Sequence, residues 1–477
     1  MIDLATVELP DSRITKITPA RYRDTEKRAL RIELVSTPTE ESYIRTCVWL
    51  PEDWNGRLVG MGSGGVAGRL IDEEPWWYLY DGYAVTHTDM GTSLYLSGER
   101  ELATVELFRD YGWRSTHLAA ECAKCLCEAY YGRRPSYSYF IGASAGGLQA
   151  FSEVQRFPED YDGVVAGVPS NNALNLIIYF LWLYQKLHRE DGSAIVDSDT
   201  AKEISLLAAV FFRARGDGEE GDDFVTYPYT DENTVCDFLA FLQKEMPSLT
   251  EEALGALRLV YEGPRNPKTK EQIFCGMPIG AERNSGYFSE MLSFGYPWLR
   301  FLYGKDYKDR TFDFAEDYER FASYVGQDFT ANNADLTAFC ERGGRMIVYS
   351  GAADPAGPYA DALSYYNRVC DTMGGLPAVS SFFRFFILPG KAHGDGGLGV
   401  RQIYGEGQGV DLLCAIRKWR EEGHAPAYLS CAHVVKEDGE SKVKFTRDIY
   451  PYQNDKRKEG RDYPLSTCPR YLLKNLG

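Results

Sequence analysis

Short apolar runs, separated by turn-forming residues, fill the first third of the chain. They are rich in β-branched and aromatic residues and predict strands at 29–36, 43–51, 57–64, 83–90 and 137–144. The stretch between the last two strands, roughly 114–131, has helical periodicity and ends on Gly132, a C-cap signal. Strands that alternate with helices predict a parallel sheet covered by helices on both faces.

The pattern changes after residue 170. Residues 171–328 are rich in helix formers and aromatic residues and include an acidic loop at 213–223. A strand pattern precedes this segment at 161–170, and further strand patterns follow it at 345–354 and 382–393. A helix is predicted near 409–422. After about residue 425 no strong pattern remains, and we expect that part to wrap the surface. We predict one α/β domain, formed by 1–170 and 329–477, with 171–328 inserted as a lid.

Composition narrows the possible partners of a chain of this size. The chain has 477 residues, 44% hydrophobic and 25% charged, with a formal net charge of −17. An acidic surface disfavours nucleic acid and anionic membranes as partners. The first residues lack the apolar core of a secretory signal, and the longest apolar run, 173–187, is too short to span a bilayer. We therefore expect a cytoplasmic protein, with the oligomeric state left open.

The cysteines do not indicate a metal site. The chain has 11 cysteines, and only Cys122, Cys125 and Cys127 lie close together. A structural zinc site needs four ligands, and no second cluster of cysteine or histidine completes this one. We expect reduced, mostly buried thiols and no bound metal.

A candidate nucleophile lies where a predicted strand meets a predicted helix. Residues 142–146 read Gly-Ala-Ser-Ala-Gly, which fits G-x-S-x-G. A serine in a sharp strand-to-helix turn projects its hydroxyl beyond the sheet, and small neighbours let strand and helix approach closely. The amide of Ala145 and the positive end of the new helix point at the same place. An ordinary glycine-rich turn is the alternative, but the context favours Ser144 as a nucleophile.

A serine nucleophile needs a base and an acid that orients the base. Only His393, of the six histidines, lies on a glycine-rich loop just past a buried strand. Asp354 ends another predicted strand, 39 positions before the histidine. The order Ser144, Asp354, His393 matches the order that this kind of site requires. These three residues are the predicted triad.

The glycine-rich stretch 61–65, which follows residues 57–60 of an early strand, is the candidate for a second oxyanion donor. Its sequence is Met-Gly-Ser-Gly-Gly, and glycine lets a backbone amide approach an oxyanion closely. We favour Gly64 and Gly65 without deciding between them. Gly60 to Gly65 also fits G-x-G-x-x-G, but a dinucleotide site should open a helix at once, and Gly68 and Pro75 make that helix doubtful.

At this point the chain resembles the tannase/feruloyl esterase family. The resemblance is carried by the segments 48–68, 82–91, 139–170, 249–282, 343–355 and 382–397. It implies an α/β-hydrolase fold, with a mostly parallel central sheet and a large inserted lid. It also implies that Ser144, Asp354 and His393 cleave esters of phenolic acids, such as gallate and ferulate, without a cofactor.

Two features of the family pattern are absent from this chain. The family usually has a cysteine before the nucleophile and another after the histidine, joined in a disulfide. Here these positions are Ala143 and Gly394, which suits a reducing compartment. The family lid often holds calcium in an aspartate-rich loop. In this chain that loop has lost its regular spacing, so Asp217, Asp222 and Asp223 are expected to be solvated and a lid calcium is disfavoured.

The residues therefore favour a serine carboxylic-ester hydrolase that acts on a small aromatic ester. An acyltransferase on the same scaffold, and a non-catalytic ligand-binding relative, are the alternatives. Aromatic residues near the predicted site are expected to line its pocket, because the flat ring of an aromatic substrate stacks on aromatic walls. The candidates are Trp76, Trp77, Tyr179, Trp182, Tyr296 and Trp298.

Overall fold

A computed structural model describes residues 4–23, 25–228, 232–284, 297–307, 311–394, 396–406 and 411–453. Nine strands form a sheet in the order β1-β2-β3-β5-β4-β6-β7-β8-β9. They are β1 Ser12–Arg21, β2 Arg28–Ser36, β3 Ile44–Pro51, β4 Arg57–Met61, β5 Ala84–Thr88, β6 Tyr137–Ala143, β7 Gly163–Gly167, β8 Arg345–Gly351 and β9 Phe383–Leu388. The pairs from β1 to β5 along the sheet are antiparallel, and those from β5 to β9 are parallel. The predicted α/β-hydrolase sheet is therefore confirmed.

The first strand, β1, was not predicted. It lies at the edge of the sheet, where its residues alternate between half-buried and exposed. Pro19 within the run argues against a central strand, and an edge is where a strand tolerates proline.

The C-terminal part also departs from the sequence-based expectation of a patternless surface wrap. It contains a three-stranded antiparallel sheet made of β10 Gln402–Ile403, β11 Leu429–Glu437 and β12 Glu440–Ile449. Asp438 and Gly439 connect the last two strands, and both have positive φ, 54° and 82°. An Asp-Gly pair of this kind forms a tight hairpin turn, so the local sequence predicts this hairpin.

The described helices are named α1 to α15 in chain order. They are α1 Trp76–Leu79, α2 Ser93–Leu96, α3 Val105–Arg109, α4 Ser115–Tyr131, α5 Ala145–Arg156, α6 Ala173–Leu187, α7 Ser198–Arg213, α8 Glu232–Glu245, α9 Glu251–Glu262, α10 at 297–303, α11 Glu316–Val325, α12 Thr337–Glu341, α13 Tyr359–Thr372, α14 Leu376–Val379 and α15 Leu412–Glu422. A π-helical turn, Asp110–Arg114, joins α3 to α4. None of the described helices is both long and apolar enough to cross a bilayer.

Strand alternation gives the parallel half of the sheet two apolar faces. Phe140 and Val164 point into one core with α5 and α13, whereas Tyr139 and Val165 point into the opposite core with α15. Because successive side chains of a strand face opposite sides, continuous apolar runs require cover on both faces. The sheet is thus held rigidly, with the carboxyl ends of β4 to β9 along one edge.

The described residues of 171–328 contribute helices and no strand to either sheet. Helices α7, α8 and α9 share a core of their own, with Ile204, Phe238 and Leu257 fully buried in it. Helix α6 belongs to both cores, because Ile178 faces the sheet domain and Leu183 faces the other helices. This arrangement suits an inserted lid, whose boundaries stay a prediction.

Candidate active site

Ser144 occupies a strained turn between β6 and α5. Its φ is 59° and its ψ is −117°, a conformation that a residue with a Cβ rarely adopts. The neighbouring strand holds it there, because the Ser144 amide donates to the Gly167 carbonyl at 2.9 Å. The Ser144 carbonyl accepts from the Ser170 hydroxyl at 2.8 Å and from the Ser170 amide at 3.1 Å. These contacts fix the direction in which the serine side chain leaves the sheet.

The glycines around Ser144 are required by close backbone contacts. A Cβ on Gly142 would lie 2.4 Å from the carbonyl oxygen of Gly146, and one on Gly62 would lie 2.6 Å from the Gly146 Cα. Real Cβ atoms essentially never come so close, so any side chain at these positions would push strand and helix apart. The glycines of the motif thus allow β4, β6 and α5 to meet at one point.

Asp354 and His393 form a hydrogen-bonded pair at the carboxyl ends of β8 and β9. His393 Nδ1 lies 2.8 Å from Asp354 Oδ2. The other carboxylate oxygen, Oδ1, accepts from the amides of Ala356 at 2.8 Å and Gly357 at 2.9 Å. Asp354 is fully buried, so these donors and the imidazole replace the water that its charge would otherwise bind.

The environment of His393 acts on its pKa in two directions. Burial lowers the pKa by penalising the charged ring, while the negative charge and hydrogen bond of Asp354 raise it. Asp354 outweighs burial and the nearby Lys391, so the net shift is upward from 6.5. The carboxylate of Asp354 therefore stabilises the protonated imidazole of His393, as a general base that takes up a proton requires.

The glycine loop that follows β4 is anchored to the nucleophile helix. The Ser63 amide donates to Gln149 Oε1 of α5 at 2.8 Å, so that amide is already occupied. The Ser63 hydroxyl donates to the Thr88 carbonyl at 2.7 Å and lies 3.1 Å from His87 Nε2. Burial lowers the pKa of His87 to about 4, which keeps this histidine neutral beneath the loop.

The two oxyanion candidates in this loop differ in position. Gly65 has a positive φ of 58° and lines the same pocket as Ser144, Ala145 and His393, whereas Gly64 is exposed. The hydroxyl of Tyr111 donates to the Gly65 carbonyl at 2.5 Å and holds that peptide in place. Gly65, together with Ala145 at the start of α5, is therefore the better placed of the two to bind an oxyanion.

One wall of this pocket is a single face of α6. The lining residues of that helix are Ala173, Leu176, Ile177 and Phe180, at spacings of three, one and three. This is the spacing of one helical face, so the first two turns of α6 present an apolar strip to Ser144.

The other wall is built of aromatic rings. Trp298 of α10 meets Tyr111 edge-on, with the ring centroids 4.5 Å apart, and meets Phe329 at 4.8 Å. All three rings line the pocket. Tyr111 comes from the π-helical turn 110–114, a feature that often marks functional sites. The pocket beside Ser144 is thus narrow and mostly apolar.

The structure corrects the sequence-based expectation for two of the lid aromatics. Tyr179 is fully buried and donates from its hydroxyl to the Pro355 carbonyl at 3.0 Å. Trp182 donates to the Leu259 carbonyl at 2.9 Å and packs edge-on against Phe314. Neither ring lines the pocket, because both project from other sides of α6 than Phe180 does.

Trp76 and Trp77 lie at the amino ends of the parallel strands, away from Ser144, so the prediction that they line its pocket is wrong. Trp76 packs on Tyr22, with the centroids 5.4 Å apart, just after β1 ends. The end of β1 pairs with the start of β2, which in turn pairs with the carboxyl end of β3. Because β3 is antiparallel to β5, this part of the sheet lies at the amino ends of β4, β5 and β6. Ser144 follows the carboxyl end of β6. Tyr296 lies outside the described residues.

The acidic loop of the lid is engaged in protein contacts. Asp217 accepts from the amides of Thr226 at 2.8 Å and Tyr227 at 3.2 Å. Asp222 pairs with Arg447, and Asp223 is exposed. Within the described residues, no group of three or more histidine, cysteine or acidic side chains is arranged to hold a metal ion.

Sequence reasoning missed several pocket residues, namely Tyr111, Ser170, Ala173, Leu176, Phe329 and Ala356. The α6 residues could have been found from helical phase, since they repeat every three or four positions. Tyr111 and Phe329 carry no such signal, because a π-helical turn and a distant loop bring them together.

The parallel sheet, the strained serine turn and the Asp354–His393 pair define an α/β-hydrolase with the layout of a serine esterase. The family model for tannase and feruloyl esterase matches residues 31–314 and 305–465. The chain belongs to this family and is a carboxylic ester hydrolase, which confirms the resemblance.

Individual relatives agree with this placement. A probable feruloyl esterase B of Aspergillus niger is 27% identical over 424 residues, 84% of this chain and 78% of that protein. The crystal structure of feruloyl esterase B from Aspergillus oryzae superposes with a TM-score of 0.80 at 23% identity, covering 94% of each chain. Tannin acyl hydrolase from Aspergillus niger gives a TM-score of 0.70 at 17% identity, covering 94% of this chain and 91% of that one. These two structures support the fold.

Proposed function

We propose that this chain hydrolyses esters of aromatic acids through an acyl-enzyme on Ser144. His393 accepts the serine proton as the hydroxyl oxygen attacks the ester carbonyl, and Asp354 stabilises the imidazolium that results. The 2.8 Å contact between Nδ1 and Oδ2 supports these roles, and His393 lines the same pocket as Ser144. The same histidine then gives its proton to the departing alcohol.

The negative charge that develops on the carbonyl oxygen needs donors that are already in place. The amides of Ala145 and Gly65 fit this role, because both residues line the pocket with Ser144. Gln149 of α5 binds the amide of Ser63, so the nucleophile helix and the glycine loop keep a fixed separation. Water replaces the alcohol, gives a proton to His393 and attacks the acyl carbon; the bond to Ser144 then breaks, the acid leaves, and His393 returns the proton to the serine oxygen.

The preference for an aromatic acid rests on the walls of the pocket. Phe180 and Ile177 of α6 line the pocket together with the ring cluster of Tyr111, Trp298 and Phe329. A flat aromatic acyl group can stack between such walls, and each ring contact contributes about 0.5–1.5 kcal/mol beyond the burial of area. Feruloyl or galloyl esters fit this description.

The test compares kcat/KM for ethyl ferulate, ethyl gallate and ethyl butyrate. At least one aromatic ester should be cleaved with a clearly higher kcat/KM than butyrate. Equal or faster turnover of butyrate would refute the aromatic preference while leaving the esterase chemistry intact. Labelling by a fluorophosphonate, lost in Ser144→Ala, checks the nucleophile separately from the substrate.

A further inference from the structure

Two lid residues donate hydrogen bonds to the short loop that carries Asp354. Asn284 Nδ2 donates to the carbonyl of Ala353 at 2.8 Å, and the Tyr179 hydroxyl donates to the carbonyl of Pro355 at 3.0 Å. These carbonyls belong to the residues immediately before and after Asp354. Two lid side chains thus hydrogen-bond to the backbone on both sides of the acid.

The Tyr179 contact is linked to the carboxylate through one peptide group. The Pro355 carbonyl and the Ala356 amide belong to the same planar peptide unit. Tyr179 binds the oxygen of that unit, and its N–H donates to Asp354 Oδ1 at 2.8 Å. Hydrogen bonds in such a chain strengthen each other, and a rigid peptide transmits orientation from one end to the other.

Asn284 acts on the peptide unit on the other side of the acid. The Ala353 carbonyl that it binds shares a peptide unit with the Asp354 amide. The Ala353 amide in turn donates to the Lys391 carbonyl at 3.0 Å, two residues before His393. The loop is therefore fixed between the lid on one side and the histidine loop on the other.

Both donors are themselves held firmly. Tyr179 is fully buried in α6, where its ring packs on Phe274 with the centroids 5.3 Å apart. Asn284 ends a short 3-10 turn that begins at Glu282. That buried carboxylate accepts from the Tyr261 hydroxyl at 2.7 Å and the Ser205 hydroxyl at 2.8 Å. Both donors thus belong to segments that the lid core anchors.

We infer that Tyr179 and Asn284 are positioning residues of the esterase, which orient Asp354 toward His393 from the lid. This inference rests on the proposed function and deepens it. Correct assembly of the acid then depends on the lid being docked, although the acid and base come from the sheet domain. Without the lid donors, the peptide units around Asp354 can rotate and the imidazole is less well aligned.

The first experiment compares Tyr179→Phe with Tyr318→Phe. The control residue is also a lid tyrosine, but its hydroxyl donates to Asn175 Oδ1 at 3.0 Å, away from the acid loop. Tyr179→Phe should lower kcat about fivefold to tenfold, the effect of one hydrogen bond, with KM changed less than about twofold. Tyr318→Phe should keep the kcat of the wild type. Unchanged kcat in Tyr179→Phe would overturn the inference.

A double-mutant cycle distinguishes positioning from general support of the fold. If Tyr179 acts through the acid, Tyr179→Phe should cause no further loss of kcat in an Asp354→Asn background. A full, additive loss in that background would overturn the inference. Asn284→Ala is tested in the same cycle and should likewise cause no further loss of kcat in the Asp354→Asn background. This second variant decides the question if Tyr179→Phe fails to fold.

A spectroscopic measurement keeps this inference separate from the proposed function. The low-field proton resonance of His393 Nδ1–H reports its bond to Asp354 without any substrate. It should shift or broaden in Tyr179→Phe and stay in place in Tyr318→Phe; identical spectra would contradict the inference even in an active enzyme. Full activity of Asp354→Asn, by contrast, would refute the proposed triad itself.

Discussion

Ser144, the proposed nucleophile, has an unfavourable backbone conformation. A non-glycine residue at its φ of 59° and ψ of −117° costs about 1–3 kcal/mol, which the surrounding contacts must offset. The contacts to Gly167 and Ser170 do so by satisfying both backbone groups of the serine. In this conformation Ser144 lines the pocket that also contains Ala145 and His393.

Two substitutions of Ser144 separate chemistry from strain. Ser144→Ala and Ser144→Gly should both lower kcat by more than about a thousandfold, because each removes the nucleophile. Ser144→Gly should be the more stable protein by about 1 kcal/mol, since glycine adopts a positive φ without cost. Steady-state kinetics and urea unfolding measure the two effects. Retention of more than roughly a hundredth of the activity in either variant would refute the nucleophile assignment.

The raised pKa of His393 predicts the acidic limb of the pH profile. The base must be neutral to accept the serine proton, so kcat/KM should fall as pH drops through the pKa of His393. Because the pKa is raised, the midpoint should lie above 6.5. Asp354→Asn removes the charge that raises it, so the residual activity should show a midpoint at lower pH. Profiles from roughly pH 5 to 9 test this, and unshifted midpoints would contradict the pairing.

At the scale of elements, the site depends on how closely β4, β6 and α5 approach. Gly142→Ala places a Cβ 2.4 Å from a backbone oxygen of α5 and should destabilise the protein by about 1–3 kcal/mol, as overpacking does. Gly255→Ala is the matched control, since it lies inside α9 with open space around its Cβ. That change should stabilise the protein by about 0.5–1 kcal/mol. Urea unfolding measures both, and equal effects would contradict the close-packed turn.

The phase of α6 decides which of its side chains a substrate meets. Phe180→Ala removes a ring from the pocket and should lower kcat/KM for ethyl ferulate roughly tenfold, with less effect on ethyl butyrate. Trp77→Ala removes a larger ring that is 69% exposed at the far edge of the sheet. Its kcat/KM should match the wild type. A loss in Trp77→Ala as large as that in Phe180→Ala would contradict this assignment of the pocket.

The molecule as a whole is held together without cross-links among its described residues. Ten of its cysteines lie there, and no disulfide joins any two of them, the buried Cys122 and Cys127 included. Burial raises the pKa of Cys122 to about 12, which keeps that thiol protonated and unreactive. Both domains therefore rest on apolar cores and hydrogen bonds, with Asp222 and Arg447 pairing the lid to the C-terminal sheet.

Neither a reducing agent nor a chelator should impair the enzyme. Dithiothreitol should leave activity and melting temperature unchanged, which agrees with our proposal of a reducing, cytoplasmic location. EDTA should also have little effect, because the carboxylates of Asp217 and Asp222 are occupied by amides and by Arg447. Thermal melts and hydrolysis assays with each reagent test both expectations. Inactivation by EDTA that calcium reverses would show that a lid cation matters after all.

Much of this protein was determined by local sequence patterns. The buried strands and the small residues around Ser144 are encoded within short stretches, and the order of Ser144, Asp354 and His393 can be read along the chain. Such stretches act through local physics: strand alternation, the space that glycine frees, and the sharp turn between a strand and a helix. The hairpin at Asp438 and Gly439 was equally readable, and only the edge strand β1 was obscured by its proline.

The tertiary structure decided which side chains surround the chemistry. Tyr179 and Phe180 are neighbours in sequence and both aromatic. Tyr179 hydrogen-bonds to the loop that carries Asp354, whereas Phe180 lines the pocket. Their roles follow from how α6 is rotated against the sheet, which depends on the packing of two whole cores. Trp76 likewise follows the glycine loop in sequence, yet the loop lies at the carboxyl ends of the strands and Trp76 at their amino ends, because the chain runs back between them. Distances along a chain do not encode such placements; the register and packing of remote elements do.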